Sequence, residues 1–409
     1  MLDGTVNDGL LSLVGEPKKQ SYCSIEFKGG GVLTNNNIIR IAAKGGYASE
    51  AGSTSIALTG GNSTITGTGV IKLDYSERDM DGNQKVQMNG AGLSTTLCND
   101  TDHTIVGGGS IGACKLLNKG LIKADSDRES LTLFAPFYGF FDSLRPGPQS
   151  AVNDVNGRIV ATGPKGIRIS LQRYSESKHK EASTLNGRFI NKGLIEARTG
   201  SRIKFEPGIN TESTSTSTST AVGNFETIGL ELGGRIAGGG RFENPRLVYI
   251  ADGAKLMPGD LSNNDGTGES TCGTLSFTSN LVMRANAAAE FQCRKPEAGK
   301  YDSVWVNGDA TVAGTLKFLE NPSSGTYPLF TSTGTLTCDL KTLKVECAEG
   351  VKAPKLKLVE STYAVEQQKV VDDVPVVDEE TGEPVMETVY LQCQRIEATW
   401  MNGFTIILR

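Results

Sequence analysis

A short recurring phrase, a glycine followed by a strand-like alternation of apolar and polar residues, most constrains the fold. It reads GLIKAD, GRIVAT, GLIEAR, GRIAGG, GTLSFT, GTLKFL and GTLTCD. The copies begin at Gly120, Gly157, Gly193, Gly234, Gly273, Gly314 and Gly334, so successive copies lie 37, 36, 41, 39, 41 and 20 residues apart. These spacings are close to one or two multiples of about 20 residues, a period typical of chains built from stacked repeats.

The stretch around the first copy shows how such a repeat would fold. Residues 104–106, 110–111 and 121–124 have the pattern of short strands, and glycine or asparagine separates them. Glycine and asparagine tolerate positive φ angles, so a strand turns sharply there at little steric cost. We therefore predict an all-β fold, a parallel β-helix (a solenoid) with one coil about every 20 residues. A β-sandwich is the alternative, but its turns recur every ~8–12 residues without near-identical phrases at double spacing.

The same residues resemble a known family. Residues 103–125, HTIVGGGSIGACKLLNKGLIKAD, are similar to the repeats of bacterial autotransporter passengers and filamentous-haemagglutinin-type surface proteins. Residues 236–293 and 301–319 resemble the closing part of such passengers. The resemblance covers roughly residues 25–340. It implies a parallel β-helix at a cell surface, and it implies no catalytic site, because the shared feature of the family is its coil.

The pattern divides the chain into three parts. Residues 1–24 are predicted to be an N-terminal cap or linking strand, and residues 25–320 the β-helix. Residues 321–409 are predicted to be a C-terminal antiparallel β cap or assembly region, because the open end of a solenoid needs a cover. Within the last part, strands at 369–378 and 384–392 would flank a turn at 379–383. Excursions from the coil are expected at 131–150, 171–182 and 211–221.

Composition and charge bound the location and the partners. The 409 residues carry 41 Lys and Arg against 46 Asp and Glu, a net charge of −5, which argues against nucleic acid as a partner. No run approaches the ~18 apolar residues of a transmembrane helix. The N-terminal residues lack the pattern of a signal peptide, so we expect a mature or trimmed piece of a secreted precursor, extracellular or on a cell surface.

Cysteine usage supports an oxidising compartment. The chain has 8 cysteines but only 2 histidines, which makes a zinc site improbable. Two cysteines 21 residues apart, one coil, would be neighbours on stacked strands within reach of a disulfide. The expected pairs are Cys272–Cys293, Cys338–Cys347 and Cys98–Cys114. The alternative is a set of buried free thiols.

Two local clusters are candidate sites. A proline-rich excursion holds five aromatic residues within eight positions: Phe134, Phe137, Tyr138, Phe140 and Phe141. This loop would present an apolar patch to another subunit or a glycan, or it would fold back on the outer wall of the coil. A second cluster, Asp79, Asp81 and Asn83, is similar to the first half of a Ca²⁺ loop, although a plain polar loop is the favoured interpretation. No other cofactor or metal is expected.

An asparagine run also suggests an internal device. Asn35, Asn36 and Asn37 lie at a predicted corner. Asparagines in register at successive corners would form a ladder of side-chain hydrogen bonds.

Two functions follow from this pattern. The favoured one is a structural or adhesive extracellular protein, a non-enzymatic adhesin-like subunit that associates with itself in a filament, fibre or layer. The alternative is a carbohydrate-active enzyme, a polysaccharide lyase or glycoside hydrolase, since such enzymes share the coil and place paired carboxylates on one outer face. No catalytic residue is nominated, because no outward position of the recurring phrase repeats a carboxylate.

Overall fold

The structure is a computed structural model. The residues that it describes are 4–15, 23–28, 30–43, 53–59, 61–75, 85–90, 95–112, 115–134, 150–171, 188–207, 230–244, 247–261, 270–368, 370–371, 374–375 and 386–400. These residues form strands, turns and bends and contain no helix. The prediction of an all-β chain is confirmed for this part of the protein. None of its elements is therefore a long apolar helix of the kind that crosses a membrane.

Two of the large sheets, which we call sheets A and B, consist of parallel strands only. Sheet A has seven strands: β1 Thr5–Asn7, β4 Val32–Asn35, β7 Asn62–Thr66, β10 Thr96–Asn99, β13 Lys115–Asn118, β16 Ser150–Asn153 and β19 Arg188–Asn191. Sheet B has twelve: β2 Leu11–Gly15, β5 Ile38–Ala43, β8 Val70–Tyr75, β11 Thr104–Gly107, β14 Leu121–Ala124, β17 Arg158–Ala161, β20 Leu194–Ala197, β23 Arg235–Gly238, β26 Lys255–Pro258, β31 Ala288–Phe291, β34 Thr315–Phe318 and β37 Lys344–Cys347.

Two further sheets complete the main body. Sheet C has thirteen strands: β3 Cys23–Lys28, β6 Ser53–Thr59, β9 Lys85–Gly90, β12 Gly109–Gly112, β15 Leu131–Phe134, β18 Ile167–Leu171, β21 Arg202–Pro207, β24 Arg241–Glu243, β29 Thr274–Phe277, β32 Ser303–Val306, β35 Gly325–Ser332, β41 Met386–Trp400 and β38 Lys355–Gln368. Sheet D has five: β22 Leu230–Leu232, β25 Leu247–Ile250, β30 Asn280–Met283, β33 Ala310–Val312 and β36 Leu336–Thr337. Two small antiparallel pairs are β27 Asp260–Leu261 with β28 Ser270–Thr271, and β39 Val370–Val371 with β40 Val374–Pro375.

Consecutive strands enter the sheets in rotation. Strand β1 lies in sheet A, β2 in sheet B and β3 in sheet C, and β4 returns to sheet A beside β1. We call each such set of three consecutive strands a rung. From β22 onward a strand of sheet D precedes each new strand of sheet B, so sheet D takes the place of sheet A in the later rungs. Each rung pairs in parallel with the rung before it.

The alternating pattern places one apolar side chain of each strand inside. Seven buried isoleucines occupy one register position of sheet B in successive strands: Ile39, Ile71, Ile105, Ile122, Ile159, Ile195 and Ile236. A one-residue slip of any strand would turn its isoleucine outward, so the stack fixes the register of the sheet. In later rungs larger side chains lie in the interior, including Phe291 and Phe318, whose ring centroids are 6.2 Å apart.

The expected period of about 20 residues is wrong for the middle of the chain. The phrases at 120–125, 157–162 and 193–198 form β14, β17 and β20, which are adjacent strands of sheet B. Spacings of 36 and 37 residues therefore correspond to one rung, and not to two. The phrases GTLSFT and GTLTCD begin strands of sheets C and D, so the phrase marks a corner and not one particular sheet.

The two ends depart from the expected boundaries. Residues 5–28 already supply a strand to each of sheets A, B and C. Parallel pairing also continues beyond residue 320, as far as β37. After that, β38 pairs antiparallel with β41 from Lys355 and Thr399 to Gln368 and Met386, and β41 pairs antiparallel with β35. The hairpin is therefore longer than expected, and its first strand lies before 369–378.

An aromatic cluster joins these antiparallel strands to the parallel body. Trp400 packs edge-on against Phe318 and Tyr327, with ring centroids 4.9 and 5.3 Å apart. The Trp400 indole Nε1 donates a hydrogen bond to the Lys352 carbonyl oxygen at 2.8 Å. The last strand is thus attached to the core by packing as well as by sheet hydrogen bonds.

Candidate functional site

A row of buried asparagines runs through the interior along sheet A. Six strands of that sheet end in asparagine: Asn7, Asn35, Asn99, Asn118, Asn153 and Asn191. The Nδ2 of Asn118 donates to Oδ1 of Asn153 at 2.8 Å, and Asn153 donates to Asn191 at 2.7 Å. Asn99 donates to Asn118 at 2.8 Å, and Asn191 ends the row on the Gly233 carbonyl oxygen at 2.6 Å. We call this row the asparagine ladder; from β10 onward it links each rung of sheet A to the next.

The predicted role of Asn35 is confirmed, while its two neighbours behave differently. Asn35 is fully buried and accepts a hydrogen bond from Asn7 Nδ2 at 2.8 Å. Asn36 and Asn37 are exposed, and both donate to Asp8, to its side chain and its carbonyl oxygen respectively. Only the residue that ends the strand with its side chain inward joins the ladder.

His103 connects Asn35 and Asn99 where β7, the strand between theirs in sheet A, supplies no asparagine to the ladder. Its Nε2 lies 3.1 Å from Asn35 Nδ2 and its Nδ1 lies 2.7 Å from Asn99 Oδ1. Because Asn35 Oδ1 already accepts from Asn7, Asn35 Nδ2 donates to His103 Nε2, and the imidazole proton resides on Nδ1. The side chain is fully buried, and burial lowers the pKa of His103 to about 4. A second ring proton would point at the Asn35 amide group, so the ladder requires the neutral histidine.

Glycines beside the ladder allow neighbouring rungs to approach closely. In the repeated phrase NKGLI a ladder asparagine ends one strand, and the leucine three positions later begins the next strand. A Cβ atom on Gly193 would overlap the carbonyl oxygens of Gly157 and Asp154 in the rung below. The glycine is therefore needed for space at this corner.

We expect Gly193→Ala to lower the free energy of unfolding by about 1–3 kcal/mol, because the backbone must move to admit the methyl group. Gly9→Ala is the matched control, since its Cβ would meet nothing within 4 Å. Chemical denaturation of both variants would check this result. Equal stability of the two variants would contradict the close approach at Gly193.

Asp302 ties together the corner between sheets B and C. Its Oδ1 accepts from the backbone N–H of Gly273 at 3.0 Å, and its Oδ2 accepts from that of Gln292 at 2.7 Å. The residue is 1% exposed, and burial raises the pKa of Asp302 to about 7. Glu320, which pairs with Arg294 at 3.0 Å, lies close enough to raise that pKa further. This carboxylate holds two backbone donors, so its present role is to join rungs.

Two of the predicted disulfide partners meet at the same corner. Cys272 precedes β29 and Cys293 follows β31, so the chain between them passes once through sheets C, D and B. Cys272 Sγ lies 3.8 Å from the Gln292 carbonyl oxygen, directly beside Cys293 in the chain. Burial raises the pKa of Cys272 to about 11 and raises that of Cys293 further. The structure holds both as free thiols, so the bond stays a prediction.

The other two predicted pairs have different surroundings. Cys338 follows β36 of sheet D and Cys347 ends β37 of sheet B, so the segment between them is a corner that joins two sheets. Both are free thiols that pack against the core. Cys98 is also a free thiol, and Cys114 lies outside the described residues.

We expect a disulfide between Cys272 and Cys293 when the protein is purified under oxidising conditions. Thiols with raised pKa values react slowly at neutral pH, so formation should accelerate as the pH rises toward 9. Peptide mapping without reductant, after alkylation at pH 7 and at pH 9, would detect it. If both thiols can still be alkylated at pH 9, the expected pair is contradicted. Cys393, which is 4% exposed, is the internal control for the effect of burial alone.

Glu196 is a buried carboxylate that sequence reasoning missed. Although it faces outward from sheet B, its side chain has no exposed surface, because β27 lies against it. Its Oε1 accepts from the Leu261 N–H at 2.8 Å and from Arg198 Nε at 3.1 Å. Asp260 beside it accepts from the N–H groups of Thr199 and Gly239 at 2.9 and 2.7 Å. Burial raises the pKa of Glu196. These carboxylates hold the β27–β28 pair on the outer face.

Other predicted sites fall partly or wholly outside the described residues. Phe134 ends β15, whereas Phe137, Tyr138, Phe140 and Phe141 lie outside the described part, as do Asp79, Asp81 and Asn83. Within the described part, no group of three or more His, Cys, Asp or Glu side chains is placed to hold a metal ion. Comparison with the models of known protein families and with curated proteins finds no match.

Proposed function

We propose that the chain is a parallel β-helix, closed at its C-terminal end by the antiparallel strands β38 and β41, and that it serves as a structural or adhesive subunit of an extracellular assembly. The rotation of strands among parallel sheets supports the winding. The twelve strands of sheet B, at ~4.8 Å each, correspond to a rod of about 55 Å.

The proposed structural role is supported above all by buried polar groups that connect neighbouring rungs. The asparagine ladder, His103 and Asp302 all join one rung to the next. On the outer face of sheet B, Glu290 pairs with Lys255 at 2.9 Å and with Lys317 at 3.8 Å, in the rungs on either side. Satisfied polar groups that join neighbouring rungs stiffen the long axis of the molecule, as a rod that presents a surface to its partners requires.

The sequence adds two reasons to expect assembly. The resemblance to surface-protein repeats favours an extracellular rod, and the aromatic residues at 134–141 favour lateral contacts with another subunit or a glycan. The antiparallel end would prevent uncontrolled edge pairing or supply a stacking surface.

Electron microscopy of the purified protein at increasing concentration tests this proposal. We expect rods at low concentration and longer or laterally joined assemblies at high concentration. Compact particles that never associate would contradict it. Depolymerisation of an acidic polysaccharide by the purified protein would replace it with the carbohydrate-active alternative.

A further inference from the structure

The outer face of sheet A carries a mainly apolar column of side chains in continuous register. Six outward side chains stack in consecutive strands, Val32, Thr64, Cys98, Leu117, Val152 and Ile190. We call this column the sheet A stripe. Val32 is 45% and Ile190 36% exposed, and the four between are partly exposed. A continuous exposed apolar column on a flat parallel sheet is typical of an interaction surface.

A column of alternating charge runs along one side of the stripe. Asp100, Lys119, Asp154 and Lys192 follow the strand ends in consecutive rungs, and backbone hydrogen bonds from Lys119, Asp154 and Lys192 to the previous ladder asparagine keep them aligned. Lys119 Nζ lies 3.8 Å from Asp100 Oδ1. The order of charges is therefore negative, positive, negative, positive.

This order is complementary to its own reverse. A second copy can pack face to face with its long axis antiparallel, related by a two-fold axis that passes between the rungs of Leu117 and Val152. The charged column of one copy then lies against that of the other in reverse order. Asp100 then faces Lys192 of the second copy, and Lys119 faces Asp154. The same operation places Leu117 opposite Val152 at the centre of the contact, where sheets pack about 10 Å apart.

The parallel arrangement of two copies is less favourable. It would bring the charged column of one copy against the opposite side of the stripe of the other, where Lys115 lies beside Leu117. Lys119 of one copy would then face Lys115 of the other. Like charges that face each other across an interface repel, which disfavours the parallel arrangement. Charge therefore selects the antiparallel pair.

We propose that the sheet A stripe is the contact surface for a second copy of this chain, which binds antiparallel about a two-fold axis. The inference rests on the proposed function as a self-associating subunit and identifies one of its contacts. The face spans only a few short strands, less than a standard stable interface, so the expected dissociation constant is on the order of 0.1 mM. Contacts of that strength become effective when many subunits are aligned in one assembly.

Charge exchange across the two-fold axis tests the proposal. Lys119→Glu places like charges opposite Asp154, and Asp154→Lys places like charges opposite Lys119. Each single variant should weaken dimerisation by at least about tenfold, and the double variant, which exchanges the charges, should restore it to within about threefold. Lys344→Glu makes the same charge change on an exposed position of sheet B and should leave dimerisation unaltered.

Sedimentation velocity of the full chain in reductant, from 10 µM to 1 mM by design, would measure these constants. Circular dichroism would show that each variant keeps the β signal. Single variants that dimerise like the parent, or a double variant that stays monomeric, would overturn the proposal. If the parent is monomeric here while electron microscopy shows assemblies, this surface is excluded and the proposed function stands. If both experiments show only monomers, both fall.

Discussion

Replacing Asn118 with alanine is expected to lower the free energy of unfolding by about 3–5 kcal/mol, since several buried polar groups lose their partner at once. Asn118 Oδ1 accepts from Asn99, and its Nδ2 donates to Asn153. The same Nδ2 lies 3.2 Å from the carbonyl oxygens of Gly120 and Arg158. All of these atoms are in the interior, where water cannot replace the missing amide, and each unmade hydrogen bond carries a desolvation cost.

Asn36→Ala provides the matched control for this variant. Asn36 has the same chemistry at a corner of the same sheet, but it is exposed and its bond to Asp8 lies in solvent. Its replacement is expected to change stability by no more than about 0.5 kcal/mol. Guanidinium titration of both variants would measure the difference. Similar losses in the two would mean that the ladder contributes no more than an ordinary surface asparagine.

The sequence predicted the short parallel strands better than the period at which they recur. The alternation of apolar residues and the glycine corners are local signals, and they correctly indicated short parallel strands whose isoleucines stack inward. The number of residues between adjacent strands of one sheet varies along the chain, because segments of different length join the strands. Spacing alone cannot distinguish two short rungs from one rung with a long loop. That ambiguity explains the wrong period between Gly120 and Gly193.

The interior polar groups were predictable only where a phrase repeats. Asn118 and Asn191 share the phrase NKGLI, which points to equivalent positions on stacked rungs. His103 gives no such signal, because it comes from a corner and takes the place of a ladder asparagine that β7 does not supply. The sequence gives no signal for the roles of Asp302 and Glu196 either, since their partners include backbone N–H groups that become neighbours only after the rungs stack. Long-range register, which the sequence does not display, decides their roles.

The titration of His103 alone is expected to lower the free energy of unfolding by about 3 kcal/mol between pH 6.5 and pH 4. In the unfolded chain the imidazole has a pKa near 6.5, whereas burial lowers the pKa of the folded group to about 4. Below pH 6.5 the unfolded state therefore binds a proton that the folded state does not bind, and the stability falls. Below pH 4 both states are protonated, and the contribution becomes constant.

His103→Gln removes this titration while keeping a polar side chain beside the ladder. The variant should be less stable than the parent at pH 7.5, because its amide cannot reproduce both ring contacts at 3.1 and 2.7 Å. The deficit should shrink by about 3 kcal/mol when both proteins are compared at pH 4. Urea titrations at pH 7.5, 6, 5 and 4 would give the difference at each pH. Parallel stability profiles would show that His103 does not remain neutral in the fold.

The difference between the two proteins is the informative quantity, because Asp302 acts in the opposite direction. Burial raises the pKa of Asp302 from 3.8 to about 7, so the folded state binds its proton first, and stability rises as the pH falls from 7 toward 3.8. In the parent this gain opposes the loss at His103, and so does Glu196, whose pKa burial also raises. In His103→Gln only the gains remain, so that variant should become more stable on mild acidification. A variant whose stability rises more than that of the parent as the pH falls would assign opposite pH responses to the buried carboxylates and the ladder histidine.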